Sequence, residues 1–111
     1  MDLGLDVDQT GDWTVLTVTG EVDVATAPSL RERLVQLIAD GNTRLVVDLS
    51  PVDFLDSTGL GVLVGTLKRI RQAEGELRLI IPQERIAKLF DITGLSQIFE
   101  ISDQLERVLG T

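Results

Sequence analysis

Residues 45–64 read LVVDLSPVDFLDSTGLGVLV and contain two different structural signals in succession. The first five, LVVDL, are almost continuously apolar rather than alternating, which is typical of a strand covered on both faces in an α/β sheet. A second set of apolar residues recurs at helical spacing: Leu60, Leu63, Val64, Leu67 and Ile70,. The stretch therefore predicts a central strand, a loop and then a helix that begins at Ser57.

The residues before this stretch predict a hairpin and a first helix. Leu3, Leu5 and Val7 alternate with other residues, including Asp6 and Asp8. Turn residues follow at 10–12, and residues 13–18 are mostly β-branched,. Between Pro28 and Asp40 the apolar side chains have helical spacing. Gly41 follows in the position where a helix ends in a left-handed residue,.

The residues after it predict further alternation of strands and helices. The helix that begins at Ser57 carries cations in its last turns, where they favour the helix dipole, and is expected to end at Gly75,. The remaining predicted elements are a strand at 77–81, a short helix that ends before residue 93, a strand at 98–101 and a final helix. The third helix carries Ile86, Leu89 and Phe90, and the final one carries Leu105, Val108 and Leu109,. The order is β-β-α-β-α-β-α-β-α, an α/β fold with a mostly parallel sheet, an N-terminal hairpin and helices packed on the sheet.

Composition limits the functions that this chain can have. Its 111 residues suffice for one core, so we expect residues 1–111 to form a single domain,. The formal net charge is −8, and residues 1–30 contain six acids and no Lys or Arg, which disfavours nucleic acids and membrane surfaces as partners,. The chain has no Cys and no His, which removes disulfides, a Ser-His-Asp triad and metal sites with N or S ligands,. No signal peptide is recognisable, and we expect a cytoplasmic protein.

Two short motifs are similar to ligand sites but depart from them. Residues 6–11, DVDQTG, begin like a calcium loop, but Thr17 stands where a bidentate Glu is needed, which favours a solvated acidic hairpin,. Residues 59–65, GLGVLVG, are similar to a dinucleotide fingerprint whose third glycine comes one residue late,. We therefore expect no metal, no cofactor and no catalytic residue.

Ser57 has two interpretations at the start of its helix. Serine is a preferred N-cap, and a hydroxyl that accepts a backbone amide there contributes about 1 kcal/mol. The same helix terminus accommodates an anion, so the fold would tolerate a phosphate on Ser57, which adds about −1.5 to −2 charges. Asp53 and Asp56 are near in sequence, and the phosphate would add to their negative charge. A partner surface matched to a neutral hydroxyl would then be repelled.

The segment DLSPVDFLDSTGLGVLV at 48–64, with GEVD at 20–23 and TGL at 93–95, resembles the anti-sigma factor antagonists, which are bacterial single-domain STAS proteins. The resemblance covers essentially the whole chain in the same order. It implies a STAS domain that is not an enzyme. Members bind an anti-sigma factor that is also a serine kinase. This binding releases a sigma factor and so regulates transcription. The kinase phosphorylates the antagonist, and a serine phosphatase restores binding.

The resemblance also assigns roles to residues of this chain. Ser57 matches the phosphorylated serine. The partner-binding surface would comprise the loop around Asp23 and the N-terminal turn of the second helix. The residues of that turn are Asp56, Thr58, Gly59 and Leu60. Several relatives have serine at the position of Thr58, which also bears a hydroxyl. We expect modification at Ser57, because its side chain lacks the crowding of a β-branched residue.

Two alternatives belong to other functional classes. The first is a STAS scaffold subunit of a large stress-sensing complex of the stressosome type, which a large mass in size-exclusion chromatography would indicate. The second is a domain that binds a small ligand or nucleotide through the glycines of the second helix, although no lysine adjoins them to hold a phosphate. For the antagonist we expect a monomer or a weak dimer.

Overall fold

The computed structural model describes residues 3–109 of the chain. Within them strands and helices alternate almost throughout. In chain order they are β1 (Gly4–Thr10), β2 (Trp13–Val22), α1 (Ala27–Ala39), β3 (Arg44–Asp48), β4 (Val52–Leu55), α2 (Ser57–Gln72), β5 (Glu76–Ile80), α3 (Glu84–Ile92), a 3-10 turn (Leu95–Gln97), β6 (Glu100–Ser102) and α4 (Leu105–Leu109).

The strands form a mixed sheet in which the N-terminal pair is antiparallel. β1 and β2 make a hairpin, and the sheet then continues in the order β1-β2-β3-β5-β6 with parallel neighbours. β4 lies off this path and pairs in parallel with the end of β2. The predicted hairpin, the mostly parallel sheet and the packed helices are confirmed.

β3 is buried on both faces, as its non-alternating sequence predicts. Leu45 and Val47 belong to the large core cluster that includes α1, α2 and α3. Val46 belongs to a smaller cluster on the opposite face, together with Trp13 and Val108 of α4. Because successive side chains of a strand point to opposite faces, a strand between two helical layers has to be apolar throughout.

The structure differs from the prediction at two strands, one that was missed and one whose bounds are shifted. β4 was not predicted, because it has only four residues and its strand conformation depends on pairing with residues 20–22, more than thirty positions earlier. The last strand, expected at 98–101, is β6 at Glu100–Ser102. The apolar residues before it belong instead to the 3-10 turn Leu95–Gln97 and its end at Ile98.

The end of α2 also differs from the prediction. The left-handed residue is Glu74, with φ of +57°, rather than Gly75. The amide of Glu74 donates to Arg71 O at 3.1 Å and that of Gly75 to Ile70 O at 2.8 Å, a Schellman arrangement,. Gly75 is needed for space, because a Cβ there would lie 2.1 Å from Thr43 O. By contrast, Gly41 ends α1 as predicted, with φ of +93°.

These contacts predict opposite effects for substitutions at adjacent positions. Gly75→Ala should destabilise the fold by about 1–3 kcal/mol, because the backbone around Thr43 would have to move. Glu74→Gly should stabilise it by up to about 1 kcal/mol, because glycine adopts the left-handed conformation without steric cost. Urea unfolding followed by the fluorescence of Trp13, which is 4% exposed, measures both changes. A Gly75→Ala variant as stable as the wild type would contradict the steric argument.

Candidate functional site

The pairing of β2 with β4 brings together two segments that are distant in sequence. Val22 pairs with Leu55, and the amide of Asp56 donates to Val22 O at 3.2 Å. The loop that follows Val22 contains Asp23, and the residue that follows Asp56 is Ser57. The carboxyl ends of two parallel strands therefore place the Asp23 loop beside the start of α2.

The N-cap of α2 is Asp56, so the interpretation of Ser57 as the cap was wrong. Asp56 Oδ1 accepts hydrogen bonds from the amides of Thr58 at 2.9 Å and Gly59 at 3.2 Å. Asp56 has extended backbone and its own carbonyl accepts the amide of Leu60 at 3.1 Å, as expected of a cap,. Aspartate and serine are both good N-caps, and here the extended backbone of Asp56 makes it the cap,.

Ser57 is the first residue of α2, and its side chain is exposed. Its hydroxyl has no hydrogen-bond partner within the described part of the chain. The side chain therefore contributes little to the helix that it begins. Thr58 is also exposed, but its amide is bonded to Asp56.

The next two residues lie beneath this exposed turn. Gly59 is buried, and a Cβ there would lie 2.4 Å from Leu55 Cδ1 and 2.8 Å from Val22 Cγ1. Leu60 is 8% exposed and belongs to the core. Gly59 lets α2 approach β2 and β4 closely, and Leu60 anchors it there. Of the predicted contact residues, Asp56 and Thr58 are therefore more accessible than Gly59 and Leu60.

Asp23 orders its own loop. Its Oδ1 accepts hydrogen bonds from the amide of Ala25 at 2.9 Å, the amide of Thr26 at 3.1 Å and the Thr26 hydroxyl at 3.2 Å. The backbone bond from Thr26 is the largest cause that lowers the pKa of Asp23 below its ordinary value of 3.8. The Thr26 hydroxyl shares its single proton between Asp23 Oδ1 and Glu21 O, which is nearer at 2.7 Å, and this ties the loop to the end of β2,.

Two apolar side chains near this site are exposed. Val24 follows Asp23 and is 74% exposed, and Phe54 of β4 is 46% exposed. Neither was among the predicted contact residues, although an apolar residue inside the turn-forming segment DVATA is a signal that the sequence offers. We call Asp23, Val24, Phe54, Ser57 and Thr58 together the Ser57 surface.

The described residues show neither a metal cluster nor a membrane span. Between residues 3 and 109 no three His, Cys, Asp or Glu side chains are arranged to hold a metal ion. Over the same residues no helix is both long and apolar enough to cross a bilayer. The Ser57 surface presents an exposed hydroxyl beside acidic and apolar side chains.

Comparison with known proteins identifies the family. The STAS domain family matches residues 4–108. The chain belongs to the STAS domain family. This STAS protein is 44% identical over 106 residues to the anti-sigma-B factor antagonist of Bacillus subtilis (strain 168), which covers 96% of each chain. The predicted resemblance is confirmed.

Solved structures agree with this fold. A crystal structure of an anti-sigma factor antagonist from Mycobacterium paratuberculosis is 31% identical and covers 97% of this chain and 92% of its own, with a TM-score of 0.84. The phosphorylated form of the Bacillus cell fate determinant SpoIIAA is 21% identical and covers 96% of this chain and 97% of its own, with a TM-score of 0.74. The SpoIIAA likeness shows a shared STAS fold.

The assignment of the cap can be tested by comparing two neighbouring alanine variants. Asp56→Ala should cost about 0.5–2 kcal/mol of stability, because two amides lose their acceptor. Ser57→Ala should change stability by less than about 0.5 kcal/mol, as is usual for an exposed side chain without such contacts. Urea unfolding of both variants at one pH decides between them. If Ser57→Ala costs as much as Asp56→Ala, the serine is the cap.

The hydrogen bonds of Asp23 predict a contribution to acid stability. Because its pKa is lowered in the folded state, Asp23 stabilises the fold above about pH 4 and loses that effect as the pH falls through the lowered pKa,. Unfolding free energies at about pH 6 and about pH 3 should therefore differ less in Asp23→Asn than in the wild type. Asp8→Asn on β1 is the control, since Asp8 is exposed and its carboxylate accepts no hydrogen bond from residues 3–109. Equal pH dependence in both variants would contradict a role for Asp23.

Proposed function

We propose that this STAS protein is an anti-sigma factor antagonist whose binding is switched off by phosphorylation of Ser57. The observation that carries the proposal is the state of the Ser57 hydroxyl, which is exposed at the first position of α2 and free of hydrogen bonds within residues 3–109. A side chain that the fold does not use can be modified and restored without unfolding the domain. The name of the Bacillus subtilis relative supports the role.

The proposed partner is an anti-sigma factor that is also a serine kinase. In its unmodified form the antagonist binds this partner through the Ser57 surface and so releases a sigma factor. The kinase transfers the γ-phosphoryl group of ATP to Ser57 Oγ, with loss of the hydroxyl proton and release of ADP. A serine phosphatase removes the group again. In this proposal residues 1–111 act as a single cytoplasmic domain that is not itself an enzyme.

Electrostatics explains how one phosphate could end binding. The Asp56 carboxylate already occupies the amides of Thr58 and Gly59, so few donors of the helix terminus are left to neutralise a dianion,. Asp23, on the loop beside the start of α2, adds a further negative charge to this surface,. The phosphate would thus remain an uncompensated charge on the contact surface. Burying it costs desolvation and repulsion, with no need for a backbone change.

Ser57 is a better phosphoacceptor than Thr58 for two structural reasons. The Thr58 amide is held by Asp56, which fixes that residue inside the first turn. Thr58 is also β-branched and lines the groove between α1 and α2,. Ser57 has neither restriction, so a kinase can reach its hydroxyl more easily.

Four forms of the protein test this function with the purified anti-sigma factor kinase of the same organism. With ATP, wild type and Thr58→Val should each gain one phosphate, located on Ser57 by peptide mass spectrometry, and Ser57→Ala should gain none. Ser57→Ala should bind the kinase like the wild type, because a small neutral side chain keeps the surface uncharged. Ser57→Asp should bind at least about tenfold more weakly.

Two outcomes would contradict the proposal. Phosphorylation of Ser57→Ala to the same extent as the wild type would place the modification elsewhere. Equal affinity of Ser57→Asp and Ser57→Ala would show that charge at this position does not control binding.

A further inference from the structure

An open groove lies between α1 and α2, and Thr58 lines it at the start of α2. It has a volume of about 540 Å³ and extends along α2 as far as Gln72. Its apolar lining includes Val35 of α1 and Val62 of α2. At Gly65 an added Cβ would meet nothing within 4 Å, so the groove is open above the helix backbone.

The rim of this groove is positively charged, although the chain has a formal net charge of −8. α1 and α2 together contain five cations and one acid, Glu32. Three of the cations line the groove, namely Arg31, Lys68 and Arg69, and all three are exposed. None of the three makes an ion pair or a side-chain hydrogen bond with residues 3–109.

Some arginines outside the groove are paired with acids. Arg44 is paired with Asp12 and Glu76, and Arg107 is paired with Asp103. In an acidic protein, acids are available to neutralise cations, yet the described structure brings none to the groove. A cluster of uncompensated cations beside an apolar strip is complementary to an occupant that is acidic on one side and apolar on the other.

We propose that this groove binds an acidic amphipathic segment of the anti-sigma factor. The inference rests on the function proposed above and extends its contact area from the Ser57 surface along α2. Thr58 belongs to both the Ser57 surface and the groove, so one partner can cover them continuously. The apolar side of the segment contacts Val35 and Val62, and its carboxylates face Arg31, Lys68 and Arg69.

A nucleotide fits the groove less well. The amides at the start of α2 that could bind phosphate are taken by Asp56, and its carboxylate repels an anion there,. Two of the groove cations, Lys68 and Arg69, lie about three turns along α2 from those amides, and the third, Arg31, belongs to α1,. The α2 cations are therefore not placed to bind a phosphate held at the start of the helix.

Crosslinking tests the occupant directly, because the chain has only two lysines, Lys68 in the groove and Lys88 on α3. A carbodiimide joins a lysine amine to a carboxylate in contact with it, with loss of water and without a spacer. In the complex of the full chain with its kinase, Lys68 should be joined to an Asp or Glu of the kinase, and Lys88 should not. Tryptic peptides analysed by mass spectrometry identify the linked residues.

Charge reversal provides the matched affinity measurement. Lys68→Glu with Arg69→Glu should weaken kinase binding about tenfold or more, and the loss should shrink as salt is raised. Arg33→Glu with Lys88→Glu changes the net charge equally outside the groove and should weaken binding less than about threefold. All four positions bear charged surface side chains, and circular dichroism checks that both double variants remain folded.

The outcomes separate this inference from the proposed function. Suppose that the wild type binds and is phosphorylated, but Lys68→Glu with Arg69→Glu binds the kinase as tightly as Arg33→Glu with Lys88→Glu does. The groove is then not part of the interface, and the inference is overturned. A crosslink from Lys68 to a second copy of this chain, or Gly65 amide shifts caused by ATP alone, would assign the groove to another occupant. If the wild type does not bind the kinase at all, the proposed function fails and the inference fails with it.

Discussion

The carboxylate of Asp56 accepts the amides of Thr58 and Gly59, and the amide of Asp56 is in turn held by the last residue of β2. These bonds define where α2 begins and join it to the edge of the sheet. They also leave the hydroxyl of Ser57 without a role in capping the helix. Since the aspartate provides the cap, the serine hydroxyl makes no hydrogen bond with residues 3–109, and its modification removes no such bond.

The distribution of charge follows from the same arrangement. The carboxyl ends of β2 and β4 present Asp23 and Asp56 around an exposed hydroxyl, whereas α1 and α2 present unpaired cations along their groove. On the Ser57 surface an added phosphate is therefore repelled by the neighbouring carboxylates. In the adjacent groove, by contrast, the cations attract an anionic partner. Both surfaces adjoin α2, and Thr58 belongs to both, so one partner can contact both.

Sequence signals that depend on neighbouring residues predicted most of the fold. The hairpin, the doubly buried β3 and the end of α1 at Gly41 follow from alternation, composition and a left-handed position. Features that depend on distant residues were missed. β4 is a strand because residues 20–22 lie beside it, and Gly75 is required because Thr43 O lies against it. Asp56 replaced Ser57 as the cap, because adjacent residues of equal capping tendency cannot be ranked without the backbone angles,. The exposure of Val24 likewise requires the folded loop.

The central claim is that one phosphate on Ser57 abolishes binding through charge rather than through a change of fold. The most direct measurement compares unmodified and fully Ser57-phosphorylated protein, with titration calorimetry against the kinase and amide NMR spectra of both forms. The account predicts that affinity falls at least about tenfold, or 1.4 kcal/mol, while amide shifts change only around residues 23–26 and 54–60. Unchanged affinity, or shifts spread across the whole sheet, would contradict it.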